Sequence, residues 1–183
     1  NKAAREMRER VEQMAGRAAC KGMVISTFHS LCVQILKSHI EKLGYKKNFS
    51  IYAVSDQQRL VRDLLRERVA DASAKDADRV LWQISDAKNR LVSANSFVAD
   101  INKPDSCLTA EVYPRYQKAL KAFNAVDFDD LLMLVVQLFD EFPKVLADYQ
   151  QRFVYQMVDE YQDTNPVQYR LLRQLSDGHG NLC

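Results

Sequence analysis

Two adjacent carboxylates end a largely apolar run in the last third of the chain. Residues 153–158 read FVYQMV, and Asp159 and Glu160 follow directly. Carboxylates are costly to desolvate unless a cation, a proton or a partner charge compensates. In a nucleoside triphosphatase, one such acid can hold Mg²⁺, directly or through water, and the next can act as a general base. The pattern predicts Asp159 as the metal acid and Glu160 as the base.

The simpler interpretation is that both acids begin a solvated loop. For an isolated Asp-Glu pair after an apolar run, that interpretation would be preferred. Here the polar string continues through Asp163 to Asn165, directly after the apolar approach. This continuity favours a functional site.

The segments around the acids predict an α/β arrangement. Residues 153–158 and residues 23–28 are short, apolar and typical of buried strands. Asn165, Pro166 and Gln168 form the start signal of a following helix. Ligands of open α/β sheets bind at the carboxyl ends of the strands, where the acids would stand.

The middle of the chain predicts a helical subdomain. Between about residues 55 and 123, apolar residues recur at helical spacing and no segment alternates like a strand. Ser55 and Gln58 suggest a capping box at the start of this region. One helix is predicted through 80–84 and a second after Ser93 or Ser96. Individual lysines here, such as Lys88, are expected on solvated faces.

Four stretches together resemble superfamily 1 DNA helicases of the Rep, UvrD and PcrA group. VDEYQDTN at 158–165 resembles the Walker B motif, also called motif II. NKAAREMRERV at 1–11 is similar to motif Ia, and ISTFHSL at 25–31 to motif Ib. VDFDDLL at 126–132 is similar to the acidic segment before motif II. The loop lengths look closest to Rep.

The resemblance implies a helix-dominated α/β fold. It implies part of a RecA-like P-loop NTPase domain, called 1A, with an inserted, mostly α-helical subdomain, called 1B. Residues 1–30 would then be the first part of 1A, residues 31–124 the insertion, and residues 125–183 the second part of 1A with Walker B.

The same resemblance implies a function for the parent protein. It would be an ATP-dependent, Mg²⁺-dependent 3′–5′ DNA helicase that translocates on single-stranded DNA and unwinds duplexes in replication or repair. Single-stranded DNA, single-strand/duplex junctions and replication or repair proteins would be its partners. Gln162, Asp163 and Asp130 would support the nucleotide site. The expected DNA-contacting residues are Asn1, Lys2, Thr27, Phe28 and His29.

The chain contains no phosphate-binding loop. Such a loop reads G-x-x-x-x-G-K-[ST], and none of the five glycines begins it. In the family this loop precedes motif Ia, so we expect the chain to be an internal piece of a longer protein. We expect the piece alone to bind ATP and Mg²⁺ weakly and to be inactive.

Composition leaves these expectations open. The 183 residues carry a net charge of +2, which neither requires nor excludes a nucleic-acid partner. The four cysteines form no CxxC pair and are expected to be reduced thiols in a cytoplasmic protein. No apolar run is long enough for a membrane span.

Two other classes remain as alternatives. Asp127, Asp129 and Asp130 could join the acids of the 159–163 segment in a metal-dependent nuclease. The simpler account is that Asp127 caps a helix and the next acids favour its dipole. A non-catalytic helical interaction module is the other alternative.

Overall fold

The computed structural model describes residues 2–68, 72–103 and 105–183. It confirms a helix-dominated α/β fold with a small parallel sheet. The helices are α1 (Lys2–Ala15), α2 (Phe28–His39), α3 (Val54–Arg66), α4 (Ala74–Asn89), α5 (Ser106–Ala122), α6 (Asp130–Glu141), α7 (Pro143–Arg152) and α8 (Pro166–Ser176), and the strands are β1 (Ser50–Ile51) and β2 (Ala125–Val126).

The helices build two hydrophobic cores. The first core is formed by α2, α6, α7 and α8, and includes fully buried Ile35, Leu138 and Leu171. The second core is formed by α3, α4 and α5, which carry the apolar residues of the predicted helical subdomain. α2 packs in the first core, not the second. The first helix of the second core is α3, which begins at Val54. The domain boundaries given above stay a prediction.

The two strands meet between the two cores, since Ala125 packs in the second core and Val126 in the first. They are parallel, with Ser50 opposite Ala125 and Ile51 opposite Val126. The Ser50 amide donates to the Asn124 carbonyl at 3.0 Å, and the Tyr52 amide to the Val126 carbonyl at 2.9 Å. This pair joins the chain entering the helical subdomain to the chain leaving it.

The strand predicted over residues 23–28 is wrong. Residues 23–27 have no regular structure, and Phe28 already begins α2. Thr27 is the helix N-cap, because its Oγ1 accepts the Ser30 amide at 3.3 Å. A β-branched apolar run forms a strand only when another strand pairs with it. None of the described residues pairs with residues 23–27, so the capping interaction of Thr27 determines the local structure.

The inner strand predicted over residues 153–158 is also wrong as stated. Only one parallel bridge, Gln156 to Leu182, is formed. The Val158 amide donates to the Cys183 carbonyl at 2.8 Å, so the segment is paired along one side by the described residues. Tyr155 and Met157 are 81% and 86% exposed. The approach to the acids is therefore an extended edge.

Two further local predictions are wrong. α3 begins at Val54, one residue before Ser55, and its first turn is closed by Asp56, which accepts the Ala53 amide at 3.1 Å. No helix begins between Ser93 and Lys103, and the hydroxyls of Ser93 and Ser96 bond each other at 2.9 Å.

Candidate functional site

Asp159 and Glu160 lie on a loop that directly follows the extended segment 153–158. We call residues 159–165 the acidic loop. Asp159 and Glu160 are exposed, and no lysine or arginine among the described residues forms an ion pair with either. One oxygen of Asp159 accepts the Glu160 amide at 3.1 Å. The side chain of Gln162 donates to the Glu160 carboxylate. Two predicted site residues, Glu160 and Gln162, are thus in direct contact.

Glu160 has a left-handed backbone, with φ 52° and ψ 42°. Side-chain-bearing residues reach this region at a cost on the order of 1 kcal/mol. A short 3-10 turn over Tyr161–Asp163 follows, in which the Asp163 amide donates to the Glu160 carbonyl at 2.9 Å. Strained residues cluster at functional sites, so this conformation is consistent with a functional role for Glu160.

The acidic loop ends at a capped helix. Asn165 Oδ1 accepts the Gln168 amide at 3.0 Å, and Gln168 Oε1 accepts the Asn165 amide at 3.1 Å. Pro166 occupies the first helical position of α8. The predicted helix start is therefore confirmed, and it fixes the downstream end of the loop against a helix of the first core.

A second acidic group lies inside the protein. We call residues 127–130 the acidic turn. Asp127 Oδ1 accepts the Asp130 amide at 2.8 Å, and Asp130 Oδ2 accepts the Asp127 amide at 3.1 Å. The pair closes a turn just before α6, but Asp127 is not the helix cap as predicted: α6 begins at Asp130, and its N-cap is Asp129, whose side chain makes no capping hydrogen bond.

Lys88 of α4 partly neutralises the acidic turn. It is fully buried, and its Nζ donates to Asp127 at 2.5 Å and to Asp130 at 2.7 Å. Tyr116 also donates its hydroxyl to Asp127, at 2.9 Å. The expectation that Lys88 sits on a solvated face is therefore wrong, because two carboxylates hold the ammonium inside.

Burial and these contacts move the pKa values in a consistent direction. Burial lowers the pKa of Lys88, but the carboxylates of Asp130 and Asp127 raise it by more, so it stays above its ordinary value. Burial raises the pKa of Asp130 to about 6, with Asp127 adding to the rise and Lys88 opposing it. Burial of the carboxyl group is therefore the main cause of the easier protonation of Asp130.

Thr27, Phe28 and His29, three of the predicted DNA residues, lie at the start of α2. Thr27 is its N-cap, and Phe28 packs against the first core. The His29 ring stacks on Phe128 of the acidic turn, with ring centroids 3.7 Å apart. Burial lowers the pKa of His29, while nearby Asp129 opposes that shift, so the ring is mainly neutral near pH 7.

The other predicted positions are less informative. Asn1 lies outside the described residues. Lys2 is exposed on α1 and forms an ion pair with Glu6 at 3.7 Å. Asp163 is exposed on the acidic loop. Asp130 contacts Lys88 and Gln117 rather than that loop, so its support of a nucleotide site stays a prediction.

One side chain that sequence reasoning missed connects these groups. Asn89 Nδ2 donates to Asp129 Oδ1 at 3.1 Å, and Asn89 Oδ1 accepts from Asn165 Nδ2 at 2.5 Å. The acidic turn, the end of α4 and the acidic loop are thus joined in sequence by hydrogen bonds. His29 belongs to the same chain of contacts through Phe128. No local pattern marks Asn89, since its partners lie 40 and 76 positions away.

The nuclease arrangement is not assembled. Within residues 2–68, 72–103 and 105–183, no three His, Cys, Asp or Glu side chains are grouped as a metal site would require. Asp127 and Asp130, which that alternative needs as ligands, face Lys88.

No helix in the described part of the chain has the length and apolar character needed to span a bilayer.

Comparison with known proteins identifies the family. The model of the UvrD/REP helicase N-terminal domain matches residues 1–183, so the chain belongs to this family.

Named relatives agree with that assignment. The chain is 45% identical over 183 residues to the ATP-dependent DNA helicase PcrA of Bacillus subtilis, and covers 25% of that protein. It is 41% identical to PcrA of Leuconostoc citreum, covering 24% of it, and 40% identical to PcrA of Staphylococcus aureus, covering 25%. All of this chain is aligned in each case. The chain therefore spans about a quarter of the length of these curated relatives.

Proposed function

We propose that this chain is the part of an ATP-dependent DNA helicase that supplies the magnesium acid and the general base for ATP hydrolysis. The observation that carries the proposal is the state of Asp159 and Glu160. They are exposed, unneutralised by any cation of the described residues, and held between a paired extended segment and a capped helix. Membership of the helicase family supports the same assignment.

Asp159 suits a hydrated Mg²⁺. Its side chain is exposed, and within the described residues its one hydrogen bond is to the adjacent Glu160 amide. Mg²⁺ prefers a few carboxylate oxygens and keeps several waters, so a single exposed carboxylate fits its needs. When bound, the ion would neutralise charge on the phosphates.

Glu160 is the proposed base. A carboxylate within reach of the attacking water can accept its proton. Gln162 donates to this carboxylate and so fixes its direction. The left-handed backbone at Glu160 turns the chain sharply after the extended segment.

The start of α2 is the proposed DNA contact. Helix N-termini offer unpaired amides and a positive dipole to a phosphate. Thr27, Phe28 and His29 form this end of a 12-residue helix. Single-stranded DNA, and junctions with duplex, are the proposed ligands of the longer protein, with Asn1 and Lys2 as further contacts. Movement in the 3′–5′ direction belongs to the same proposal.

The identity of the parent helicase is a separate part of the proposal. The named relatives are PcrA proteins, whereas the loop lengths suggested Rep; we propose a UvrD/PcrA-type helicase and keep the closeness to Rep as a prediction. A role in replication or repair, partner proteins from those processes and a cytoplasmic location also stay predictions.

Hydrolysis needs more than this chain. No glycine in it begins a phosphate-binding loop, so the 183 residues alone should not hydrolyse ATP.

Glu160→Gln tests the proposal in a full-length helicase that carries this segment. The amide cannot take up the proton, so DNA-stimulated ATP turnover should fall by roughly 10²- to 10⁴-fold. Gln57→Ala is the control, since Gln57 bonds the Tyr52 carbonyl at a distance from the acidic loop. Wild-type turnover in the Glu160 variant would overturn the assignment. Metal-dependent turnover by the 183-residue chain that is lost on Glu160→Gln would instead contradict the prediction that this chain alone is inactive.

A further inference from the structure

Asn89 makes contacts on three sides from the last turn of α4. Its Nδ2 donates to the Ser85 carbonyl at 2.9 Å and to Asp129 Oδ1 at 3.1 Å, and its Oδ1 accepts from Asn165 Nδ2 at 2.5 Å. It is half-buried between the second core and the first. It is hydrogen-bonded to both the acidic turn and the acidic loop.

The donor and acceptor roles in the hydrogen bond between Asn89 and Asn165 are fixed by the other partners of each side chain. The Ser85 carbonyl can only accept, so the amide nitrogen of Asn89, which also donates to Asp129, must face it. At the other end the Gln168 amide can only donate, so Asn165 must turn its oxygen there and its nitrogen toward Asn89. Neither side-chain amide can flip without breaking a bond. The two asparagines therefore hold each other in a single orientation.

The neighbouring residue anchors the same turn of α4. Lys88 is fully buried against Asp127 and Asp130, so the end of α4 cannot slide along α6 without uncovering charge. The backbone at Asn89 is therefore held in place by its neighbour Lys88. Asn165, which it holds, is the cap of α8 and the last residue of the acidic loop.

We propose that Asn89 is a positioning residue that sets the acidic loop relative to the helical subdomain. It touches neither of the proposed catalytic carboxylates; it acts through Asn165 on the loop that carries them. The proposal rests on the proposed function only for its effect on hydrolysis. Its structural half, an energetic link between positions 89 and 165, stands on the hydrogen bonds alone.

Amide hydrogen exchange on the 183-residue chain tests the structural half. Asn89→Ala should speed exchange at the amides of Thr164 and Gln168 by roughly two- to tenfold, the factor that loss of one hydrogen bond gives. The matched control is Gln58→Ala, which removes another amide contact of the helical subdomain, to Asp78 at 2.6 Å, but none to the loop. That control should leave both amides unchanged.

A second variant separates the link from the cap. Asn165→Ser keeps an N-cap hydroxyl but is too short to reach Asn89. In this background Asn89→Ala should change loop exchange no further, because the interaction is already absent. Additive effects of the two substitutions, or equal effects of Asn89→Ala and Gln58→Ala, would overturn the proposal.

The functional half is read in a full-length helicase carrying this segment. Asn89→Ala should lower kcat for ATP hydrolysis by about tenfold while KM for ATP stays within about twofold, since the loop is misplaced but the nucleotide is still held. The Gln58→Ala control should retain both constants. An active wild type whose kcat is unaffected by Asn89→Ala sinks this inference alone. A wild type that cannot hydrolyse ATP sinks the proposed function, and the exchange experiment still decides the link.

Discussion

Asp127 and Asp130 are buried around one lysine, whereas Asp159 and Glu160 stand exposed on a loop where none of the described lysines or arginines pairs with them. In sequence both groups are short acidic strings beside an apolar run. The first has its cation built into the fold and so serves packing. The second leaves its charge open to an ion or a water. Surroundings, rather than acidity, separate a structural carboxylate from a candidate catalytic one.

The largest effect on stability is expected at Lys88. Lys88→Met keeps the side-chain length but leaves two buried carboxylates without a cation. Breaking a buried ion pair from one side costs about 3–5 kcal/mol. Urea unfolding followed by circular dichroism measures this loss.

Lys47→Met is the control, because Lys47 is exposed and should cost no more than about 0.5 kcal/mol. If the two methionine variants lost equal stability, the acidic turn would not depend on Lys88, and the contrast between the two acidic groups would fail.

A smaller effect is expected from pH. The folded-state pKa of Asp130 is raised to about 6, so between this value and its ordinary one the folded protein binds more protons than the unfolded chain. This group therefore favours unfolding at neutral pH; its penalty begins to be relieved as pH falls through about 6 and is fully removed only below its ordinary pKa. Asp130→Asn should abolish that part of the dependence, about 1 kcal/mol between pH 7 and pH 5.

The measurement is the difference in unfolding free energy between wild type and Asp130→Asn at the two pH values. The difference cancels the contributions of carboxylates common to both proteins, such as Asp76, whose pKa is lowered by its hydrogen bonds with Ser73. Parallel pH profiles for the two proteins would show that Asp130 titrates normally.

Local signals explain which predictions succeeded. The cap at Asn165, the proline at 166 and the acceptor at Gln168 lie within four residues, so the start of α8 is specified by nearest neighbours. The helical character of residues 55–123 follows from periodicity in the same way.

Predictions that depended on distant partners failed. Residues 153–158 have strand composition, but a strand also needs neighbours, and the described residues pair it on one side only, at Gln156 and Val158. Lys88 looks like any surface lysine because its carboxylates lie 39 and 42 positions away. Asn89 carries no signal for the same reason.

The most direct test makes one chemical change in both acidic groups. Asp127→Asn and Asp159→Asn each remove one charge and little volume. Unfolding free energy is measured on the 183-residue chain, and DNA-stimulated ATP hydrolysis on a full-length helicase carrying the segment. Asp127→Asn should cost about 1–3 kcal/mol of stability, since Lys88 and Tyr116 lose a charged acceptor. Asp159→Asn should leave stability within about 0.5 kcal/mol and lower hydrolysis by about a hundredfold or more. Loss of stability at Asp159 with hydrolysis intact would contradict the account.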